Sequence, residues 1–282
     1  MTLALDPTLL IGLKVLQPYL DDLAIAGGWV PYLHAAQEQP SEEAVALKTR
    51  DLDLAVPREI PEREKTIDQL LAEADFTCEL HSLDTPPATQ YVAMHEGDEV
   101  EIEFVTIARG ADPGVRTVQS GLTAQELRYV DLLLEHRWAL PLDGLSGGEL
   151  AGRVWVPTPA ALVLQKALAH KKRTDPLKKE EDLYCIFYVM DGFRGWHPWI
   201  GEELKTLAAA RRSWFRRSLQ GLEAAFETPD SSGVDALLNQ RPGTAYSGLD
   251  DDQFRQFAWS VMQMLLERMR EGLAASGTQR LR

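Results

Sequence analysis

The stretch that decides the fold is Leu23-Ala24-Ile25-Ala26-Gly27-Gly28-Trp29, followed after a polar segment by Thr49-Arg50-Asp51-Leu52-Asp53-Leu54-Ala55-Val56. The first part predicts a short buried strand that ends in a glycine pair and opens into a helix over residues 29–37. Such a turn places backbone N–H groups at a helix N-terminus, which suits a polyphosphate. An ordinary strand-to-helix turn is the alternative for Gly27 and Gly28.

Asp51 and Asp53 lie two residues apart in an apolar strand, so both carboxylates point to one face. The flanking apolar residues indicate a buried strand, where two adjacent anions are costly unless a cation lies between them. Mg²⁺, held by carboxylates and by the phosphates of a substrate, is the expected ion, with Mn²⁺ as a substitute. A surface strand with solvated aspartates is the alternative.

Residues 100–105 predict another strand, in which Glu101 and Glu103 share one face because they alternate with apolar residues. An exposed strand face with two solvated glutamates is the alternative for these acids.

The glycine turn and the Asp-x-Asp strand resemble the nucleotidyltransferase fold superfamily, whose signature adds a later third carboxylate. Within it the chain looks most like the minimal bacterial branch that includes the AbiEii-type toxins of toxin–antitoxin systems. The resemblance implies that Glu103, or Glu101 in its place, joins Asp51 and Asp53 in holding Mg²⁺ on the phosphates of an NTP. The third acid would also serve as the base that takes the proton of an acceptor hydroxyl.

A second stretch, Val154-Trp155-Val156-Pro157-Thr158-Pro159, precedes a helix that bears Lys166, then Arg173, then an acidic helix start at Asp182. It resembles the segment of these families in which Pro-x-Pro opens a helix bearing a lysine. The resemblance implies that Lys166 contacts the triphosphate and that Asp182 braces Lys166 or Arg173. A solvated helix face with an acidic N-terminal cluster is the alternative. The residues expected to bind nucleotide are Gly27, Gly28, Lys48, Arg50, Arg173 and Asp182, although Lys48 and Arg50 fit a solvated flank equally well.

Length and charge divide the chain into two parts. Its 282 residues carry a net charge of −14, with 10 Lys and Arg against 27 Asp and Glu over 1–150, and 19 against 16 over 151–282. The fold prediction is α/β (α+β), with a nucleotidyltransferase-type mixed sheet flanked by helices over residues 1–156 and a helical domain over 157–282. A phosphate-bearing partner would favour the second part.

Apolar periodicity predicts the remaining elements. The predicted helices cover residues 7–20, 63–73, 123–134, 160–170, 179–190, 202–226, 233–238 and 251–273; the predicted strands cover 76–80, 90–94, 100–105, 138–142 and 153–156, with a hairpin turn over 95–98. The Glu-rich segment 38–47 is longer than this family usually has and would be a helical insertion beside the site, and residues 274–282 would fray.

The run Arg211-Arg212-Ser213-Trp214-Phe215-Arg216-Arg217 interleaves four arginines with two aromatic residues. A helix with a solvated basic face and its aromatic residues in the core is expected. Binding of an acceptor RNA through phosphate contacts and stacking is the alternative.

The activity expected from the resemblance is Mg²⁺-dependent transfer of a nucleoside monophosphate from an NTP to a hydroxyl of a tRNA or a protein, as in a toxin with a cognate antitoxin. An enzyme that modifies a small molecule such as an antibiotic, and a catalytically silent nucleotide- or partner-binding module, are the alternatives. No apolar run approaches the roughly 20 residues of a membrane span, so a cytoplasmic protein is expected. Cys78 and Cys185 are expected to be buried free thiols.

Overall fold

The computed structural model of the protein describes residues 5–47, 49–81, 89–95, 97–110 and 114–278. The chain forms two compact units. The first comprises Met1–Ala36 and Lys48–Thr158, and the second comprises Gln37–Leu47 and Pro159–Arg282. The segment 37–47, which the sequence places in the first domain, therefore belongs to the second unit.

The first unit combines a mixed sheet with four short α-helices in its described residues. Its strands are β1 (Ala24–Ile25), β2 (Asp51–Val56), β3 (Thr77–Leu80), β4 (Thr89–His95), β5 (Asp98–Ile107), β6 (Val115–Gln119), β7 (Leu122–Leu127), β8 (Arg137–Pro141) and β9 (Arg153–Pro157). Its helices are α1 (Pro7–Val15), α2 (Trp29–His34), α3 (Ile67–Glu73) and α4 (Val130–Glu135), with a 3-10 turn at Gln17–Tyr19. The predicted α/β class is confirmed.

Strand order in the sheet is β3-β4-β5-β2-β1-β9-β8, and the β6–β7 hairpin joins through β7 to β5. The β2–β5, β1–β9 and β5–β7 pairs are parallel. The β1–β2, β3–β4, β4–β5, β6–β7 and β8–β9 pairs are antiparallel. The sheet therefore places β2 and β5, the two strands with alternating acids, next to each other at its centre.

Helix α1 begins at Pro7 and is capped by Asp6. Oδ1 of Asp6 accepts a hydrogen bond from the backbone N–H of Thr8 at 2.9 Å. It packs on the sheet at Gly12, where an added Cβ would lie 2.5 Å from Cδ2 of Leu52 and 3.5 Å from Cδ1 of Ile102. The glycine therefore lets α1 approach one face of β2 and β5 closely.

The second unit is helical in its described residues. Its α-helices are α5 (Pro159–Ala169), α6 (Pro176–Gly192), α7 (His197–Ala210), α8 (Arg212–Ala225), α9 (Ser232–Gln240) and α10 (Asp251–Thr278), with 3-10 turns at His170–Lys172 and Arg194–Trp196. Asp250 caps α10, since its Oδ1 accepts from the backbone N–H of Gln253 at 2.9 Å. None of the helices in the described ranges has the length and apolar character that a bilayer crossing requires.

The predicted helix over 123–134 is wrong, because its first half is β7 and only Val130–Glu135 is helical. Ala124, Gln125, Glu126 and Leu127 are good helix formers, but here they pair with β5 and β6. Strand β6 was not predicted. The turn between the strands has Gly121 at φ +77°, a conformation that glycine adopts readily.

The predicted helix over 202–226 is two helices, with Arg211 at φ −126°, ψ 43° between them. The buried positions Leu204, Leu207, Phe215 and Leu222 keep helical spacing across this break, so periodicity could not indicate it.

Several smaller expectations also need correction. Segment 38–47 contains no helix in its ten described residues. The helices predicted from residues 29 and 63 are shorter, covering Trp29–His34 and Ile67–Glu73, and α10 extends to Thr278. Cys78 is exposed on the edge strand β3, whereas Cys185 is half-buried, and both are free thiols. Glu96, in the predicted hairpin turn, and residues 279–282, predicted to fray, lie outside the described residues.

Candidate functional site

Four carboxylates lie on one face of the two central strands. Strands β2 and β5 run parallel in a register that pairs Asp51 with Glu101 and Asp53 with Glu103. Because partners in a parallel pair point to the same face, the four side chains form a two-by-two array. All four residues are half-buried. We call this array the acid face.

The surroundings of the acid face explain why β2 and β5 have this sequence. Their opposite face is largely apolar, with Leu52, Leu54, Ile102 and Phe104 buried. Further along the acid side of the same strands, Ala55 and Val105 pack with Val130 and Leu133 of α4. Helix α4 therefore covers the ends of the strands, while their acid-bearing halves stay accessible.

The glycine turn lies directly against the acid face. The backbone N–H of Ala26 donates to the carbonyl oxygen of Asp53 at 2.8 Å. Gly27 has φ +63°, and a Cβ at this position would overlap Oδ2 of Asp53 and lie 2.9 Å from its Cγ. Gly28 is constrained as well, because its Cβ would lie 2.7 Å from the Cβ of Thr49. Both glycines are thus required for close packing of the turn on β2 and the residues before it.

Burial and neighbouring acids both affect the ionisation of Glu101. Partial burial, together with the neighbouring Glu99 and Asp51, raises the pKa of the Glu101 carboxyl above its ordinary value. The Gln90 side-chain amide donates a hydrogen bond to Glu101, which partly opposes this effect. A cation placed on the acid face would relieve the repulsion.

The donor set suits a hard divalent cation, since it consists of carboxylate oxygens. Among the described residues, no group of three or more His, Cys, Asp or Glu is arranged to hold a metal ion by itself. Mg²⁺ in nucleotide sites usually takes one or two protein carboxylates and completes its shell with phosphates and water. Asp51 and Asp53 therefore fit a metal that arrives together with a nucleotide.

Two further residues predicted at this site are Lys48 and Arg50. Lys48 lies outside the described residues, and Arg50 is exposed just before β2. Helix α2, which follows the glycine turn, has only six residues and no side-chain cap at Gly28. A helix of this length adds little to the turn as an anion site, and phosphate binding by Gly27 and Gly28 stays a prediction.

Lys166, Arg173 and Asp182 form an ion-pair cluster inside the second unit. Lys166 Nζ lies 2.5 Å from Oδ1 of Asp182, and Arg173 Nε lies 3.0 Å from its Oδ2. The side chains of Lys166 and Asp182 are 13% and 1% exposed. Burial acts to raise the pKa of Asp182, but the two cations hold it below its usual range. Asp182 thus pairs with both partners considered from the sequence, while contact of Lys166 with a triphosphate stays a prediction.

Sequence reasoning missed Gln90 and Thr49, which contact Glu101 and Gly28. The signal for Gln90 was present. The predicted hairpin turn places residue 95 opposite residue 98, so three residues further from the turn Val92 lies opposite Glu101. The structure has this register. Gln90 then lies diagonally across from Glu101.

A family described as Nucleotidyltransferase matches residues 13–195, more than half of the chain, and this range includes the acid face, the glycine turn and the Lys166 cluster. Comparison with curated proteins gives no match. Among solved structures, the chain is similar to an antigenic nucleotidyltransferase-like protein from Paracoccidioides brasiliensis, with 16% identity over 65% of this chain and 74% of that chain, and a TM-score of 0.36.

Proposed function

The chain belongs to the Nucleotidyltransferase family, and from this premise we propose that it transfers a nucleoside monophosphate from an NTP to a hydroxyl of an acceptor in a Mg²⁺-dependent reaction that releases pyrophosphate. The observation that carries the proposal is the register of β2 and β5, which sets Asp51 and Asp53 beside Glu101 and Glu103. Acids so close together are expected where a cation binds.

In the proposed reaction, Asp51 and Asp53 would hold the Mg²⁺ or Mn²⁺ that arrives with the NTP. The metal, when bound, offsets the negative charge that the phosphates carry. Gly27 allows the turn to lie against the carboxylate of Asp53, which a side chain at this position would displace. Positioning of this kind supplies much of the rate enhancement in phosphoryl-group chemistry.

Glu103 is the proposed general base, because it lies next to Asp53 on the neighbouring strand. It takes the proton of the acceptor hydroxyl as the acceptor oxygen bonds to the α-phosphorus. The bond from that phosphorus to the bridging oxygen of the β-phosphate breaks, and pyrophosphate leaves. Glu101 is the substitute for Glu103 in this role.

For the acceptor we propose a hydroxyl of a tRNA or a protein, as in a toxin controlled by a cognate antitoxin. The charge distribution supports a polyanionic partner for the C-terminal half, where Lys and Arg outnumber Asp and Glu by 19 to 16 in a chain of net charge −14. A small molecule such as an antibiotic is the alternative acceptor.

Calorimetry with each NTP and Mg²⁺ tests the nucleotide site. We expect binding by the wild type and its loss in Asp51→Asn/Asp53→Asn. The control, Glu62→Gln/Glu64→Gln, removes the same charge from two exposed residues of the same unit and should bind normally. Failure of the wild type to bind any NTP would overturn the proposed site.

Transfer is tested separately with an NTP labelled at the α-phosphate, incubated with RNA, protein and small-molecule fractions of a cell extract. Label in RNA or protein supports the proposed acceptor, and label in a small molecule supports the alternative. Nucleotide binding with no label in any fraction would favour a catalytically silent binding module.

A further inference from the structure

A pocket of about 600 Å³ lies at the junction of α7 and α8 in the second unit. Its lining comprises Ala209, Ala210, Arg211, Arg212, Ser213, Trp214 and Arg216. This is the arginine-rich run of the sequence, folded around the break that separates the two helices. Pockets of this size are large enough for a nucleotide.

The two aromatic residues of the run have different environments. Phe215 is fully buried and fixes α8 to the core of the unit. Trp214 is half-buried and lines the pocket, with the guanidinium carbon of Arg211 5.0 Å from its ring centroid. The expectation that both aromatic residues lie in the core therefore holds for Phe215 alone. Because Arg211 covers one face of the Trp214 ring, a base would stack on the guanidinium of Arg211 or on the other face of the ring.

Arg212 and Arg216, which both line the pocket, differ in their surroundings. Arg212 is held in place, its Nη1 donating to Oγ of Ser276 at 2.9 Å. Arg216 is exposed one turn further along α8. Guanidinium groups bind phosphate oxygens through paired N–H donors, and the start of α8 adds the positive end of a 14-residue helix.

Beyond the pocket, α8 adds the exposed Arg217. Residues 204–222 contain five Lys and Arg and no Asp or Glu, although Lys205 lies on α7 and pairs with Glu202, and Glu223 follows on α8. Lys171 adds a sixth cation, because its side chain lies against Gly221, where an added Cβ would be 2.9 Å from Nζ. A row of cations longer than one nucleotide suits a polyanion better than a free mononucleotide.

We propose that the pocket and the basic face of α8 bind single-stranded RNA, with a base stacked at Trp214 and phosphates on Arg212 and Arg216. An acidic peptide would pair with the arginines but would make little use of the aromatic surface. The role of this surface in binding an RNA acceptor depends on the proposed nucleotidyl transfer. Its ability to bind RNA does not depend on that reaction.

Fluorescence anisotropy with a labelled single-stranded RNA of about 12 nucleotides, a length typical of single-strand sites, tests the proposal on the full chain in EDTA without NTP. The test variant is Arg212→Gln/Arg216→Gln, and the control is Lys178→Gln/Arg255→Gln, which removes two cations of the same unit whose ion pairs are with Glu181 and Asp235, outside α8. We expect the test variant alone to lose about tenfold or more in affinity. The slope of log K against log salt should fall by about 1.4, since each phosphate contact to a single strand contributes about 0.7.

Substitution of Trp214 separates stacking from charge. Trp214→Ala should weaken binding about fivefold or more, and Trp214→Phe should retain most of the affinity. Circular dichroism confirms that each variant is folded. Equal losses in the test and control pairs, or no RNA binding by the wild type, would overturn the proposal, as would equally tight binding of an acidic peptide of the same length. Asp51→Asn/Asp53→Asn should abolish transfer and keep RNA affinity, so failure of one proposal is distinguishable from failure of the other.

Discussion

Replacing Gly27 with alanine is expected to disturb both the stability of the first unit and the position of Asp53. At φ +63° a non-glycine residue costs about 1–2 kcal/mol. The new Cβ would also overlap Oδ2 of Asp53, so that side chain must leave its rotamer, at a further cost of about 0.5–1.5 kcal/mol. The total expected loss in the free energy of unfolding is therefore about 1.5–3.5 kcal/mol.

Gly147→Ala is a matched control for Gly27→Ala. Gly147 has the same φ, +63°, but within the described part of the chain no atom lies within 4 Å of the position that a Cβ would occupy there. It should lose only the backbone contribution, about 1–2 kcal/mol. Urea unfolding gives both losses, and their difference isolates the contact with Asp53. Calorimetry with NTP and Mg²⁺ should show at least about a tenfold loss of affinity for Gly27→Ala, or about 1.4 kcal/mol, and no loss for Gly147→Ala.

Two results would refute this reasoning. If Gly27→Ala is no less stable than Gly147→Ala, the turn does not press on Asp53. If Gly27→Ala is destabilised further but binds nucleotide normally, Asp53 has moved without consequence and does not hold the metal and phosphates.

Three other substitutions test ionisable side chains, those of His34, Asp182 and Glu101. Burial lowers the pKa of His34 from 6.5 to about 4. As the pH is lowered, the unfolded chain therefore takes up this proton near pH 6.5 and the folded chain only near pH 4. The free energy of unfolding should fall across that window by about 3 kcal/mol in total. Urea unfolding of His34→Gln between pH 7 and 4 should lack this component, and an unchanged pH profile would contradict it. Asp182→Ala leaves the mostly buried Lys166 without its counter-charge and should cost about 3–5 kcal/mol in urea unfolding, whereas a loss below about 1 kcal/mol would show that Lys166 reaches solvent. Glu101→Gln should raise the Tm at pH 7, because the pKa of Glu101 is raised in the folded state and its ionised form is disfavoured there. The difference in Tm between the variant and the wild type should vanish below pH 4.5, the ordinary pKa of the group. A Tm difference that stays constant at all pH values would exclude this cause.

Local patterns in the sequence predicted the strands of the site but not all their neighbours. The alternation in Asp51–Val56 gives β2 its observed bounds, and the predicted turn at 95–98 matches the β4–β5 register on either side of Glu96. Both features depend on residues close in the chain. Asp53 and Glu103, which pair, are 50 positions apart, and strands β3 and β4 lie between them in the chain. No local sequence rule predicts such a pairing, and only the family resemblance indicated that these acids lie together.

The errors have the same origin. Leu122–Leu127 has helical propensity and becomes a strand because β5 offers it an edge beyond the end of its pairing with β4. The break at Arg211 leaves the apolar spacing unchanged, so the pocket that it creates could not be foreseen, although its arginines and Trp214 were singled out. In both cases a contact between distant parts of the chain overrides the local pattern.

The acid face is expected to cost the first unit stability. One side of β2 and β5 is filled with apolar residues, and α4 extends that packing onto the other side as far as Ala55 and Val105. The acids occupy the portion that α4 leaves uncovered, where apolar residues would have formed a continuous core. The raised pKa of Glu101 means that partial burial and the neighbouring Glu99 and Asp51 disfavour its ionised form. A substitution that removes the repulsion, such as Glu101→Gln, should therefore stabilise the fold, and it should also weaken the binding of Mg²⁺ with NTP where Glu101 takes the place of Glu103 as the third carboxylate. Opposite effects on stability and binding distinguish an acid retained for function from one that supports the fold.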